Sequence, residues 1–413
     1  LIENTRVPIK VLALSFKQHR HYAPLYEEEG LEIIETDDAE PERLGELHVD
    51  LVLTLSNDFW RSGRLVRAAN ERRIPALYML DGVLEWRHQW LNPRFGAGGK
   101  APFGQLITAD KVACLGWRSA RVLESWGAVG KCEVVGIPRL DHYIDEPVQH
   151  KVHEGPKRLL VMTANTPGFT PSQVAAVKGA LRDVKEALSD APGWNPIWRV
   201  RGGIDKELDL NDRYPDLQGL PLRDVFAEAD AVLTTPSTVV LESMLAGLPT
   251  AILDYSNSPP YLTAAWMVTA PMHIPSVLEE LSEPTARRLL YQYGVLHDNL
   301  ACFTPATPRL AHLIRSMAAE GRRARQAGRA PKHPARIVPP EHGGLLFPPE
   351  DLNYAKLYPG HPVFAKRDLW ELQLELTQAR REIEYLRDRL KARGPGYWFA
   401  RGMTHLYQKI RRS

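Results

Sequence analysis

The feature that most constrains this chain is a rhythm. Short apolar runs stop at polar residues, helical stretches follow them, and the series is played twice along the first 325 or so residues. In the first series the runs 9–15, 31–34, 49–55, 76–80, 111–115 and 132–135 read as buried strands, with helices predicted over 63–73 and 119–126. Runs of four to seven apolar residues without polar alternation are what a strand buried on both faces requires. Strand and helix in strict alternation imply a parallel sheet covered by helices.

The series breaks at 146–157, where charged residues, His150, His153 and Gly155-Pro156 interrupt it, and then restarts. Strands are predicted over 158–163, 196–200, 231–234 and 250–253, with helices over 172–188, 222–227 and 239–246 and further helical segments to about 326. The expected fold is therefore α/β, with two Rossmann-like domains facing a cleft. The expected domains are 1–148 and 149–326. A chain of 413 residues exceeds what one core usually serves, which agrees with two.

Beyond the second series the pattern changes. Residues 327–365 are rich in Pro and Arg and read as a linker that is poorly ordered or hugs the surface. Leu369, Leu372, Leu376, Ala379, Ile383, Leu386 and Leu390 are spaced alternately by three and four. This is an a/d seam, so a coiled coil and a homo-oligomer are expected over 366–393. In 394–413, Phe399, Met403, Leu406 and Ile410 share one helical face, and no acidic residue occurs from Lys391 onward. A basic, aromatic, amphipathic helix of this kind is expected to lie on an anionic membrane surface.

Net charge is +2 and charged residues are 25% of the chain, so nucleic acid is not an expected partner. Cys114, Cys132 and Cys302 form no CxxC pair, which speaks against a disulfide framework or a zinc knuckle. No signal-peptide pattern opens the sequence, and no apolar run approaches the ~20 residues of a membrane span. A cytoplasmic location, peripheral on the inner face of the membrane, follows as the expectation.

The chemistry is expected where strands end. The stretch 229–238 delivers Thr234 and Thr235 to the end of a strand, and a helix then begins at Pro236-Ser237-Thr238. Ser237 or Thr238 is expected to cap that helix. Exposed N–H groups and hydroxyls there suit a phosphate, and ligands of open α/β sheets bind at this edge. Glu242 lies one turn further and could accept both hydroxyls of a ribose. Thr163, Asn165 and Arg201 end the neighbouring strands. With Thr235, Ser237, Thr238 and Glu242 they form the expected donor-nucleotide set. In the first domain, the loop after the fourth strand is dense in acid, base and aromatic groups. Asp81, Glu85 and His88 are the candidate general bases, and His19, Arg87 and Trp90 the candidate acceptor contacts. The same spacing also lets Arg87 pair with Glu85. No metal is expected: there is no Asp-x-Asp after a strand, no HExxH and no GxxxxGK[ST].

The segment from Thr234 to Pro249 resembles the donor-binding part of GT-B glycosyltransferases. Its Ser/Thr-rich helix start, Glu242 and Gly247-Leu248-Pro249 look like those of the lipid-linked peptidoglycan GlcNAc transferase. The resemblance implies that Glu242 binds the nucleotide ribose. The segment also resembles UDP-GlcNAc 2-epimerases and polyol-phosphate polymerases. Gly136-Ile137-Pro138-Arg139-Leu140-Asp141 is similar to a Gly-x-Pro-Arg-x-Asp segment of those polymerases and of capsule and lipopolysaccharide transferases. Two departures stand out: Arg201-Gly202-Gly203 replaces a common His-Pro or Lys-Pro pair, and Asp81-Gly82 stands where the polymerases carry His-Gly. The resemblance implies a sugar transferase that uses a nucleotide sugar as substrate, needs no cofactor, and acts on a lipid-linked surface glycan. An epimerase or polyol-phosphate transferase, or a non-catalytic scaffold built on the coiled coil, are the alternatives.

Overall fold

The computed structural model describes residues 7–15, 18–37, 40–57, 62–93, 106–210, 213–341 and Ile383. Apart from Ile383, the expected coiled coil and the amphipathic tail lie outside the described residues. Two all-parallel sheets form the frame. The first contains β1 (Ile9–Leu14), β2 (Leu31–Thr36), β3 (Leu51–Thr54), β4 (Ala76–Met79), β5 (Lys111–Cys114) and β6 (Cys132–Val134), in the order β2-β1-β3-β4-β5-β6. The second contains β7 (Lys157–Met162), β8 (Trp194–Arg199), β9 (Ala231–Thr234), β10 (Thr250–Leu253) and β11 (Trp266–Val268), in the order β11-β10-β9-β7-β8. Strand order reverses between β1 and β3 in one sheet and between β7 and β9 in the other. At such switch points the loops leave in opposite directions and open a crevice beyond the strand carboxyl ends.

Each sheet is buried on both faces, as the apolar runs require. Along β1, Leu12 and Leu14 join one apolar cluster while Val11 and Ala13 join another, the period-two alternation of a pleated strand. The cluster containing Leu12 and Leu14 continues into the second sheet through Leu140, Tyr143 and Phe226 to Leu160 and Val232, so the two lobes share a core. β11 was not expected: only three residues long, it shows no periodic signal before the helix Ile274–Ser282.

The helix Ala306–Gln326 lies inside the segment assigned to the second domain, but it packs on the first sheet. Its stripe of Leu310, Leu313, Ile314 and Met317 covers Val11, Ala13, Leu51 and Leu53, and Arg322 and Arg325 both reach the carboxylate of Asp50. The open apolar face of the first sheet needs a cover, and this stripe at helical spacing supplies it.

The described part of the expected linker is firmly held. Lys111 and Glu133 form a fully buried ion pair at 2.8 Å. Lys111 Nζ also donates to the carbonyls of Gly130, Pro334 and Ala335. Glu133 accepts the N–H groups of Ile337 and Val338, and Val338 enters the core under the first sheet. All three cysteines are free thiols; Cys114 and Cys302 are buried and Cys132 is half-buried. No helix among the described residues is long and apolar enough to cross a membrane.

Candidate functional site: the cleft between the two sheets

The carboxyl ends of the two sheets meet, and most of the residues singled out from the sequence lie along that meeting line. In the second lobe, Thr163 and Thr235 are buried and already engaged. The hydroxyl of Thr163 accepts the N–H of Arg201 at 2.8 Å, and that of Thr235 accepts the N–H of Ala164 at 2.8 Å. They stitch together the loops that follow β7, β8 and β9, so their role is to shape the edge. Asn165 and Arg201 stand exposed on that edge.

The expectation that Ser237 or Thr238 caps the next helix is not met. The helix runs from Val239 to Leu245, and Thr238 before it already has helical dihedrals (φ −60, ψ −22) with no side-chain cap; a capping residue is normally extended. The Thr238 hydroxyl turns instead across the cleft and accepts the N–H of Val83 at 3.3 Å. A Cβ on Gly82 would stand 2.6 Å from that same hydroxyl oxygen, so a side chain here would displace the Thr238 hydroxyl from this position. Ser237 Oγ is buried with no partner among the described residues.

Glu242 is buried and forms an ion pair with Arg139 of the first lobe, Nη1 to Oε1 at 2.8 Å. The Gly-x-Pro-Arg-x-Asp segment therefore works at the lobe junction, and each of its residues has a visible task. Gly136 has φ +96, and a Cβ there would lie 2.6 Å from the Ala301 carbonyl. Pro138 opens a 3-10 turn over Pro138–Leu140. Arg139 crosses to Glu242. Asp141 caps the helix Ala306–Gln326, accepting the N–H groups of Ala306 at 2.6 Å and Thr307 at 2.8 Å and the Thr307 hydroxyl at 2.5 Å.

On the first-lobe side, Asp81 follows β4 and is half-buried. Burial pushes its carboxyl above the ordinary range, against the opposing charges of Arg139 and Arg20. Glu85 is the N-cap of the helix Trp86–Leu91: one oxygen accepts the His88 N–H at 2.9 Å and the other pairs with Arg87 Nε. Both oxygens are thus engaged, and Glu85 could act as a base only by giving up the cap. Arg87 is buried at 4% exposure, so it faces its own helix start and not an acceptor. His88 sits against Phe169 of the second lobe, ring centroids 5.2 Å apart, and burial pushes its imidazole below the ordinary range. Trp90 donates its indole N–H to Tyr261 at 3.2 Å and packs against Trp86 and Trp126; Arg118 holds the carbonyls of Pro260 and Tyr261. This aromatic cluster joins the lobes, and Trp90 is occupied within it.

The turn after β1 holds two histidines, of which His19 is the one chosen from the sequence as a candidate acceptor contact. His19 is exposed, whereas His21 is 5% exposed and its Nδ1 has no partner among the described residues. Burial, Arg139 and Arg20 together lower its pKa to about 3. The His-x-His spacing was visible, but only the packing of this turn against Pro138–Leu140 decides which histidine goes inside. Among the described residues no group of three or more His, Cys, Asp or Glu is arranged to hold a metal ion.

Comparison with solved structures finds the same architecture in the S. aureus MnaA–UDP co-structure, at 14% identity and a TM-score of 0.50, over 75% of this chain and 96% of that one. The wall teichoic acid polymerase TagF is similar at 12% identity and a TM-score of 0.48, over 76% of this chain and 90% of that one. UDP-GlcNAc 2-epimerase from Neisseria meningitidis bound to UDP-GlcNAc is similar at 11% identity and a TM-score of 0.47, over 75% of this chain and all of that one. No protein-family model matches the chain, and no curated protein matches it. The fold is of the GT-B type, two Rossmann-like lobes facing a cleft.

Proposed function

We propose that this protein is a glycosyltransferase that takes a sugar from a nucleotide-activated donor and passes it to a lipid-linked surface glycan of the capsule or lipopolysaccharide kind. One observation carries the reading. Thr238 Oγ1 accepts the N–H of Val83, so the Asp81-Gly82-Val83 loop of one lobe abuts the Ser237–Thr238 loop of the other. A candidate base and a candidate donor site are thereby neighbours, which transfer between two bound substrates needs. The bound UDP named for the S. aureus MnaA structure is in keeping with a nucleotide site on this fold.

In this reading the second lobe takes the nucleotide. Ser237, Thr238, Asn165 and Arg201 line the edge where its phosphates would lie, and Glu242 accepts the ribose hydroxyls once Arg139 has released it. Asp81 removes the proton from the acceptor hydroxyl. Its upward shift brings it nearer the operating pH, which favours a general base. His88 remains the second candidate base. The leaving phosphate is stabilised by protein donors, with no resident cofactor. The basic amphipathic tail read from the sequence would hold the enzyme at the inner face of the membrane, where a polyprenyl-linked acceptor resides, and the heptad seam would pair copies of the chain.

The first test is a thermal-shift screen against UDP, GDP, CMP and CDP. At about 100 times Kd a bound nucleotide adds about 2.7 kcal/mol of stability. One of the four is expected to do so, and Glu242→Ala to abolish the effect. Asp81→Asn should leave nucleotide binding intact and slow transfer by roughly 10²–10⁴. If none of the nucleotides stabilises the protein, the reading fails. If a labelled nucleotide sugar is converted with no acceptor present, the protein is an epimerase.

A further inference from the structure

Three buried polar atoms on loops that meet across the cleft have no partner among the described residues: His21 Nδ1, Arg139 Nε and Ser237 Oγ. They come from three separate elements. His21 belongs to the turn after β1, Arg139 to the turn after β6, and Ser237 to the loop after β9. The first two turns pack together. Arg139 then reaches Glu242 on the helix that Ser237 precedes. Native folds leave few buried polar atoms unsatisfied; of those among the described residues, these three belong to loops at the carboxyl ends of strands from both lobes, where a ligand would satisfy them. His21 makes the point most sharply, since the residue is only 5% exposed.

All three atoms can donate at once. An arginine Nε–H donates only, a hydroxyl can donate, and a neutral imidazole can carry its proton on Nδ1. Arg20 adds a second positive charge felt by both His21 and Asp81. Donors of this kind backed by guanidinium suit the oxygens of a phosphoryl group. Glu242 meanwhile neutralises Arg139 through only one of its nitrogens, leaving Nε available.

We propose that Arg139, His21 and Ser237 form a phosphoryl-binding subsite through which the first lobe grips the phosphate that leaves with the nucleotide, and that Glu242 is the resident carboxylate this phosphate displaces from Arg139. The proposal rests on the donor-site reading above, but the subsite can be tested without it. Arg139 and His21 are then positioning residues for the leaving group. Displacement of Glu242 frees its carboxylate for the ribose, so phosphate and ribose would be bound in one concerted exchange.

The test is isothermal titration of the full chain with inorganic pyrophosphate, with the four nucleoside diphosphates or monophosphates named above, and with the corresponding nucleosides. Wild type is expected to bind pyrophosphate, Arg139→Gln to weaken it at least tenfold, and Arg139→Lys to weaken it less, because charge is kept and the planar fork is lost. His21→Gln should weaken it several-fold. Glu242→Gln has the opposite expected sign: with Arg139 freed, pyrophosphate binds tighter while the nucleoside binds more weakly. Absence of pyrophosphate binding by wild type overturns the proposal. So does an affinity within twofold of wild type for Arg139→Gln protein with a normal melting transition. Should Arg139→Gln fail to fold, Glu242→Gln decides, and unchanged or weaker pyrophosphate binding by it refutes the subsite. If nucleotides bind no tighter than pyrophosphate, the subsite stands and the nucleotide-sugar reading falls.

Discussion

Two of the ion pairs that join separate elements, Lys111–Glu133 and Arg139–Glu242, resemble each other in chemistry and differ in kind. Lys111 and Glu133 lie side by side on β5 and β6, wholly out of solvent, and every polar atom of the pair is used: the ammonium also holds three carbonyls and the carboxylate two N–H groups of the 330–341 segment. Arg139 and Glu242 meet across the cleft, with side chains 21% and 11% exposed, and Arg139 Nε is left over. A buried charge is tolerated only when it is paired and hydrogen-bonded. The first pair meets that condition within the protein and fastens the chain after the last helix to the first sheet. The second pair meets it partly; His21 on the turn packed against Pro138–Leu140 and Ser237 on the loop before the Glu242 helix also keep a buried polar atom without a partner among the described residues. A saturated pair is architecture. An unsaturated pair that bridges the two lobes has capacity for a ligand.

This contrast can be broken or sharpened by mutation, and the largest effect belongs to the saturated pair. Glu133→Gln leaves the Lys111 ammonium buried without its counter-ion and should cost about 3–5 kcal/mol, read by denaturant or thermal unfolding, with no specific effect on nucleotide affinity beyond that loss of stability. Glu242→Gln should cost on the order of 1 kcal/mol or less, since solvent already screens part of the pair, while changing ligand affinity. Equal stability losses from the two substitutions would erase the distinction.

The third prediction is a pH dependence. His21 titrates near 6.5 when unfolded and near 3 when folded. Its folded pKa is depressed, so its contribution to stability is complete above pH 6.5 and is lost as pH falls toward 3. Wild-type stability should therefore decline through that window, and His21→Gln should remove part of the decline. Saturating pyrophosphate should narrow the window, because its charge offsets Arg139. A decline identical in wild type and His21→Gln would show that His21 is not held neutral by the cleft.

What was legible in the sequence was what is encoded locally. Both sheets were visible because a strand buried on two faces must be apolar along its length, and their ends marked the edge where ligands bind. Glu85, Arg87 and His88 are within three residues of one another, so their mutual pairing was open to reading. β11 was missed because three residues between a loop and a helix carry no period. His19 was chosen over His21 because one step around a 3-10 turn separates an exposed ring from a buried one, and nothing nearby in the sequence records which side will meet Pro138–Leu140. The hydroxyl of Thr238 followed no capping rule because its partner lies 155 residues away.

Sequence alone determined the two parallel sheets and the glycine-marked turns at their edges, since strand burial and turn geometry depend on neighbours a few residues apart. Tertiary structure alone decided that Arg139 answers Glu242, that Asp141 caps a helix 165 residues later, and which polar atoms are left waiting in the cleft. Those assignments are set by which surfaces come into contact when two lobes close. Over such separations, charge and shape complementarity in space choose the partner, and the order of residues along the chain does not.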